Sequence, residues 1–169
     1  FDAMTGAIVA VDINGRVGAY LALKMLLSVL LGTVSWGVMS YFGLQFAPFW
    51  AVLIAVLNFV PYLGSVLGVM FPAIMAVVQF VDPGLVFSLV LALTVVQFVI
   101  GNFLDPYVMG NSLNLSPFAI LISLAVWSQL WGIPGAFLAV PITAILAIVL
   151  SEFAGTRPIA VLLSRNGRL

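Results

Sequence analysis

From residue 20 onward the chain is a series of apolar runs divided by short polar or Gly/Pro breaks. Two runs are long. Residues 20–43 and 85–108 each reach ~36 Å as helices at ~1.5 Å per residue, enough to cross a hydrocarbon core of ~30 Å with some tilt. Four runs are short. The arms 48–60 and 66–81 flank Asn58-Phe59-Val60-Pro61-Tyr62-Leu63-Gly64-Ser65, and the arms 117–131 and 136–151 flank Trp131-Gly132-Ile133-Pro134-Gly135. Each arm reaches only ~20–24 Å. Pro61 lacks an amide proton and Gly64 permits unusual backbone angles, so each pair of arms predicts a helical hairpin whose tip lies within the membrane, the alternative being two tilted short spans in a locally thinned bilayer. Pro72 and Pro141 lie inside the second arms. The expected fold is an all-α integral membrane protein: two full transmembrane helices alternating with two Gly/Pro-broken helical hairpins. Paired interruptions of this kind mark the binding region of many transporters.

The connecting segments carry their own signals. Asp82-Pro83-Gly84 reads as a turn, and Gly110 to Pro117 as a polar loop in which Ser116 caps a helix opening at Pro117. Residues 1–19 mix Asp2, Asp12, Asn14 and Arg16 with Met4, Ile8, Val9, Val11 and Ile13, as at the end of an amphipathic interfacial helix. Residues 20–152 are read as the transmembrane transport domain and residues 153–169 as a cytoplasmic tail. Arg16 precedes the first span and Lys24 lies at its start, Arg157, Arg165 and Arg168 follow the last arm, and no Lys or Arg lies between. That asymmetry predicts both ends on the cytoplasmic side. Lys24, in the first turn of its span, is expected to snorkel toward headgroups. The chain begins at Phe1, without an initiator Met, and is read as a piece of a longer protein.

Composition narrows the class. Of the 169 residues 64% are apolar and 6% are charged. A soluble domain carries about a quarter charged residues, so a soluble enzyme is excluded. Net charge is zero, which leaves no basic face for nucleic acid. Cys and His are both absent, which removes thiol chemistry, zinc sites and an imidazole base. No nucleophile–base pair or metal-ligand set is visible, so neither an enzyme nor a cofactor is expected.

The candidate chemistry lies on the 85–108 run. Thr94, Gln97, Gly101 and Asp105 fall on one face at ~100° per residue, with Asn102 at its edge. A polar stripe on an apolar helix must face protein or water. Asp105 is the one carboxylate between the two ends outside an obvious turn, and an intramembrane acid is a functional candidate. Gly101 would let a backbone or a small ligand approach. Asn58 and Gln129 sit beside the two breaks, where their amides can satisfy backbone carbonyls or line a path. The expected solute or ion path is therefore Asn58, Pro61, Gly64, Thr94, Gln97, Gly101, Asn102, Asp105, Gln129, Gly132 and Pro134.

Three segments carry a family resemblance. They are residues 58–65, residues 101–110 (Gly-Asn-Phe-Leu-Asp-Pro-Tyr-Val-Met-Gly) with 112–117 following, and residues 131–141 (Trp-Gly-Ile-Pro-Gly-Ala-Phe-Leu-Ala-Val-Pro). In this order they resemble the C-terminal half of the autoinducer-2 exporter family, the PerM-like bacterial permeases. The resemblance implies a multi-pass transporter of the bacterial inner membrane, working in the lipid bilayer and exporting a small polar molecule such as the autoinducer-2 signal. It also implies a homo-oligomer, a pentamer in the family. The alternatives are a sodium(lithium)/proton antiporter using Asp105, or a non-transporting scaffold. Many members have Glu-Gly-Asn where this chain has Ile100-Gly101-Asn102, and the missing carboxylate weighs against cation antiport.

Overall fold

The computed structural model describes residues 3–109, 115–152 and 155–164. Eight α-helices occupy these stretches: α1 (Ala3–Tyr41), α2 (Ala47–Leu57), α3 (Leu63–Gln79), α4 (Pro83–Val99), α5 (Asp105–Met109), α6 (Pro117–Trp131), α7 (Ile133–Glu152) and α8 (Arg157–Leu163). A π-helical turn, Ile100–Leu104, joins α4 to α5. No strand occurs among the described residues beyond one isolated bridge, Leu115 to Ser164. Among the described residues three stretches are long and apolar enough to cross a bilayer: Val17–Tyr41, Pro83–Val108 and Ile133–Ser151. The chain is an all-α membrane protein.

Helix ends follow local chemistry. Ser116 accepts a hydrogen bond from the Ala119 amide at 3.1 Å, with Pro117 opening α6. Asp82 accepts from the Gly84 amide at 2.8 Å, with Pro83 opening α4. Both caps satisfy an amide that lacks an intrahelical partner. The last long helix starts earlier than its apolar run. Pro134 sits in its first turn, where the missing N–H costs nothing, so α7 begins at Ile133 and reaches ~30 Å. The break before it shrinks to Gly132, whose φ of 65° and ψ of −139° suit glycine alone. Gly132→Ala is expected to lower stability by ~1–3 kcal/mol, measured by thermal unfolding. An unchanged midpoint would show that the turn adapts.

The chain divides into two compact units. One unit comprises Leu23–Gly110. Leu31, Met39, Leu44, Ala47, Ala51, Ile54, Ala76, Leu89, Leu93 and Ile100 form its core, drawn from α1 to the π turn. Where α1 meets α2, Gly32 lies against the backbone of Ala51: a Cβ there would stand 2.9 Å from the Ala51 carbonyl oxygen. Helices this close gain dispersion contacts that lipid does not offer. The other unit comprises Phe1–Ala22 and Asn111–Leu169. Its α6 and α7 pack through small residues, with Ala119, Ser123, Ala139, Thr143, Ala144 and Ala147 all buried. Trp127 Nε1 donates to Thr143 Oγ1 at 3.1 Å across this seam.

Helix α1 runs without a break through the expected boundary at residue 20. The side chains of residues 1–14 and Arg16, which carry the amphipathic reading, lie outside the described residues, as do the loop 110–114 and the tail residues 153–154 and 165–169.

Candidate functional site

The first hairpin is fixed at its open end and at its tip. At the open end Gln79, closing α3, donates from Nε2 to the Gly43 carbonyl at 2.8 Å and accepts from the Gln45 amide at 2.7 Å. Both ends of the hairpin are thus tied beside the C-terminus of α1. At the tip Asn58 Nδ2 donates to Ser28 Oγ at 3.0 Å. Ser28 lies ~16 Å along α1 from Val17 and ~20 Å from Tyr41, near the middle of that span. The tip therefore reaches about halfway along the apolar stretch Val17–Tyr41 of α1. Tyr62, at φ 62°, holds a backbone conformation that side chains disfavour. The turn is closed by Val60 and Gly64 amides on the Leu57 and Val60 carbonyls, each at 2.9 Å. Gly64 is packed so tightly on the Leu57 carbonyl that a Cβ would overlap it.

The second part of the site is the π turn. Pro106 follows Asp105, and in a regular helix its ring would clash with the carbonyl four residues back. The turn ahead of it widens instead, and the Asp105 amide bonds to the Ile100 carbonyl, five residues back. The change of register is decisive for Asp105. On a regular helix residues 94 and 105 lie ~20° apart, on one face. Thr94 is exposed and its hydroxyl bonds back to the Val90 carbonyl at 2.7 Å. The extra residue of the π turn carries Asp105 round onto the face of Leu93, Gln97 and Ile100, which is buried.

There Asp105 meets Lys24. Nζ lies 2.8 Å from Oδ2, and the two side chains are 9% and 18% exposed. Lys24 sits ~10 Å along α1 from Val17, and its charge is directed to the Asp105 carboxylate. Asp105 Oδ1 is buried and has no hydrogen-bond partner among the described residues; the same holds for Ser35 Oγ. Gln97 is buried too, with its Nε2 lying over Gly68 at 2.7 Å from where a Cβ would stand.

The expected stripe is therefore split. Gln97 and Asp105 turn inward, while Thr94 and Asn102 are exposed and bond to their own helix, Asn102 Nδ2 to the Phe98 carbonyl at 3.1 Å. Gly101 faces open space, so no neighbouring backbone exploits it. Asn58 serves a side chain of α1 rather than a stray carbonyl, and Pro61 stands half-buried in the same tip. Gln129, Gly132 and Pro134 belong to the other unit and are exposed around the α6–α7 turn.

What the sequence reading lacked is the inner face of α1. Tyr20, Lys24, Leu27, Ser28, Leu31, Ser35 and Met39 are all buried, at helical spacing. Lys24, Ser28 and Ser35 make a polar line within it. The four- and seven-residue spacing of those three was the available signal. The result is a buried polar track along α1, Lys24 with Asp105 and Ser28 with Asn58 one turn on, while Gln97 lies over Gly68 elsewhere in the same unit. Polar groups so placed orient and satisfy a polar solute or one another, because lipid cannot.

Comparison with known proteins finds relatives among bacterial transport proteins. TqsA of Escherichia coli K12, named an AI-2 transport protein, is 37% identical over 150 residues, covering 88% of this chain and 43% of the relative. YhhT of the same organism is 39% identical over 152 residues, covering 87% of this chain and 42% of the relative. A third relative, PerM of Escherichia coli K12, is 28% identical over 139 residues, covering 82% of this chain and 39% of the relative. The chain thus spans less than half the length of these relatives. The family model described as AI-2E family transporter matches residues 5–155, and the chain belongs to that family.

Proposed function

We propose that this chain is the solute-handling part of a bacterial inner-membrane transporter that exports a small polar molecule of the autoinducer-2 kind. One observation carries the reading: the tip of the first hairpin ends midway along the apolar stretch Val17–Tyr41 of α1, against a buried polar track. A half-height hairpin is a re-entrant element, and its turn brings backbone dipoles and an amide side chain to membrane depth without exposing them to lipid. Solute recognition then rests on neutral groups, Asn58, Ser28 and Gln97, together with the free Asp105 Oδ1. The carboxylate is already countered by Lys24, which favours an uncharged solute over cation antiport. The apolar outer surface, which includes Val78, Val81 and Phe87, is covered by lipid and by further copies of the chain.

The test is export by the full-length protein in proteoliposomes, with a labelled polyol signal as cargo. Asn58→Ala and Gln97→Ala are each expected to lower the rate ~10-fold, the value of one lost hydrogen bond in the transport transition state. Undiminished flux in both variants would remove these residues from the path. Absence of flux in the wild type would favour the scaffold.

A further inference from the structure

In the unit Leu23–Gly110 the buried charge sums to zero in a particular way. Three charged side chains occur among its described residues. Asp82 caps α4 in an exposed turn. The other two are Lys24 and Asp105, paired at 2.8 Å from elements 81 residues apart. No further charged group faces the pair from α1, α2, α3 or α4 among the described residues. One turn along α1 from Lys24 stands Ser28, which accepts a hydrogen bond from Asn58. A buried carboxylate is an oxygen donor of the kind that hard cations take. The Lys24 ammonium, itself a monovalent cation, occupies that place.

We propose that Lys24 is a resident counter-ion that sets the ion selectivity of the Asp105 site: by filling the position of a mobile cation it keeps the track closed to sodium and open to neutral solute. The idea rests on the reading of Asp105 as part of the path. It follows from the cost of a buried charge, which must be neutralised by whatever is at hand. With Lys24 removed, Asp105 is left as an uncompensated carboxylate that recruits a cation from solution. With Asp105 removed, Lys24 is left to recruit an anion. Lys24 is thus a positioning and selectivity residue, and its removal changes which ion the protein answers to.

The experiment reads ion binding without reference to cargo. The purified full-length protein is unfolded thermally in micelles with sodium chloride, choline chloride or sodium gluconate. The wild type is expected to show the same midpoint in all three. Lys24→Gln is expected to gain several degrees in either sodium salt relative to choline chloride, because a ligand that binds only the folded state raises the midpoint by mass action. Asp105→Asn is expected to gain with chloride relative to gluconate. The double variant Lys24→Gln/Asp105→Asn is expected to respond to neither ion. A sodium-specific rise in the wild type, or a folded Lys24→Gln without one, overturns the proposal. Should Lys24→Gln fail to fold, the wild-type and Asp105→Asn measurements still decide it, a chloride-insensitive Asp105→Asn counting against. These outcomes are independent of solute flux, so a failed transport assay with the expected ion responses would overturn the export reading alone.

Discussion

Lys24→Met is expected to destabilise the protein by ~3–5 kcal/mol, and adding Asp105→Leu is expected to restore most of that loss. The single change leaves a carboxylate that is 18% exposed with no cation beside it. The double change replaces two desolvated charges with apolar groups that suit their surroundings. The asymmetry follows from desolvation: a buried pair contributes little over a well-packed apolar pair, while half a pair is costly. A double-mutant cycle on the unfolding free energy of the full-length protein measures it. Strictly additive losses would show that Lys24 and Asp105 do not depend on one another in the membrane protein, and the pair would lose its place in the site.

Gly64→Ala is expected to cost ~3 kcal/mol or more and to abolish solute flux, whereas Gly101→Ala is expected to be neutral or to stabilise by up to ~1 kcal/mol. A Cβ at Gly64 overlaps the Leu57 carbonyl, a backbone atom that cannot rotate away as a side chain would. Gly135 on α7 stands in the same relation to the Trp127 carbonyl, so Gly135→Ala is expected to behave like Gly64→Ala. Gly101 meets nothing within 4 Å, and alanine there gains helix propensity. Thermal unfolding of the three variants gives the comparison. Equal midpoints for Gly64→Ala and Gly101→Ala would mean that the hairpin tip opens freely and that its close packing is not what positions Asn58.

The two hairpins therefore share a backbone device that letter-by-letter similarity does not display. In each, a glycine early in the second arm rests on a carbonyl near the end of the first. The glycines themselves were visible, and so was the need for a bend. Which carbonyl each would meet was not, because that depends on how far the chain turns between the arms. The first tip spends residues 58–62 on its turn, while the second spends Gly132 alone. The second arm of the second hairpin consequently reaches a length that can cross a bilayer.

Asp105 shows the same division. Its rarity among apolar residues singled it out from sequence, and the proline after it was plain. A regular helix, however, would have placed it beside Thr94 on the exposed face. Pro106 displaces one turn into π geometry, and the slip of one residue exchanges lipid for a buried partner.

The sequence by itself determined the membrane class, the all-α architecture, the helix caps at Ser116 and Asp82, and the Gly/Pro positions where helices break. Each of these follows from solvation and local backbone chemistry within a few residues. Only the tertiary structure decided that Lys24 belongs to Asp105, that Asn58 bonds to Ser28, and that Gln97 lies over Gly68. Those pairings join residues far apart in the chain, and in lipid they are selected by which polar group has no other partner within reach.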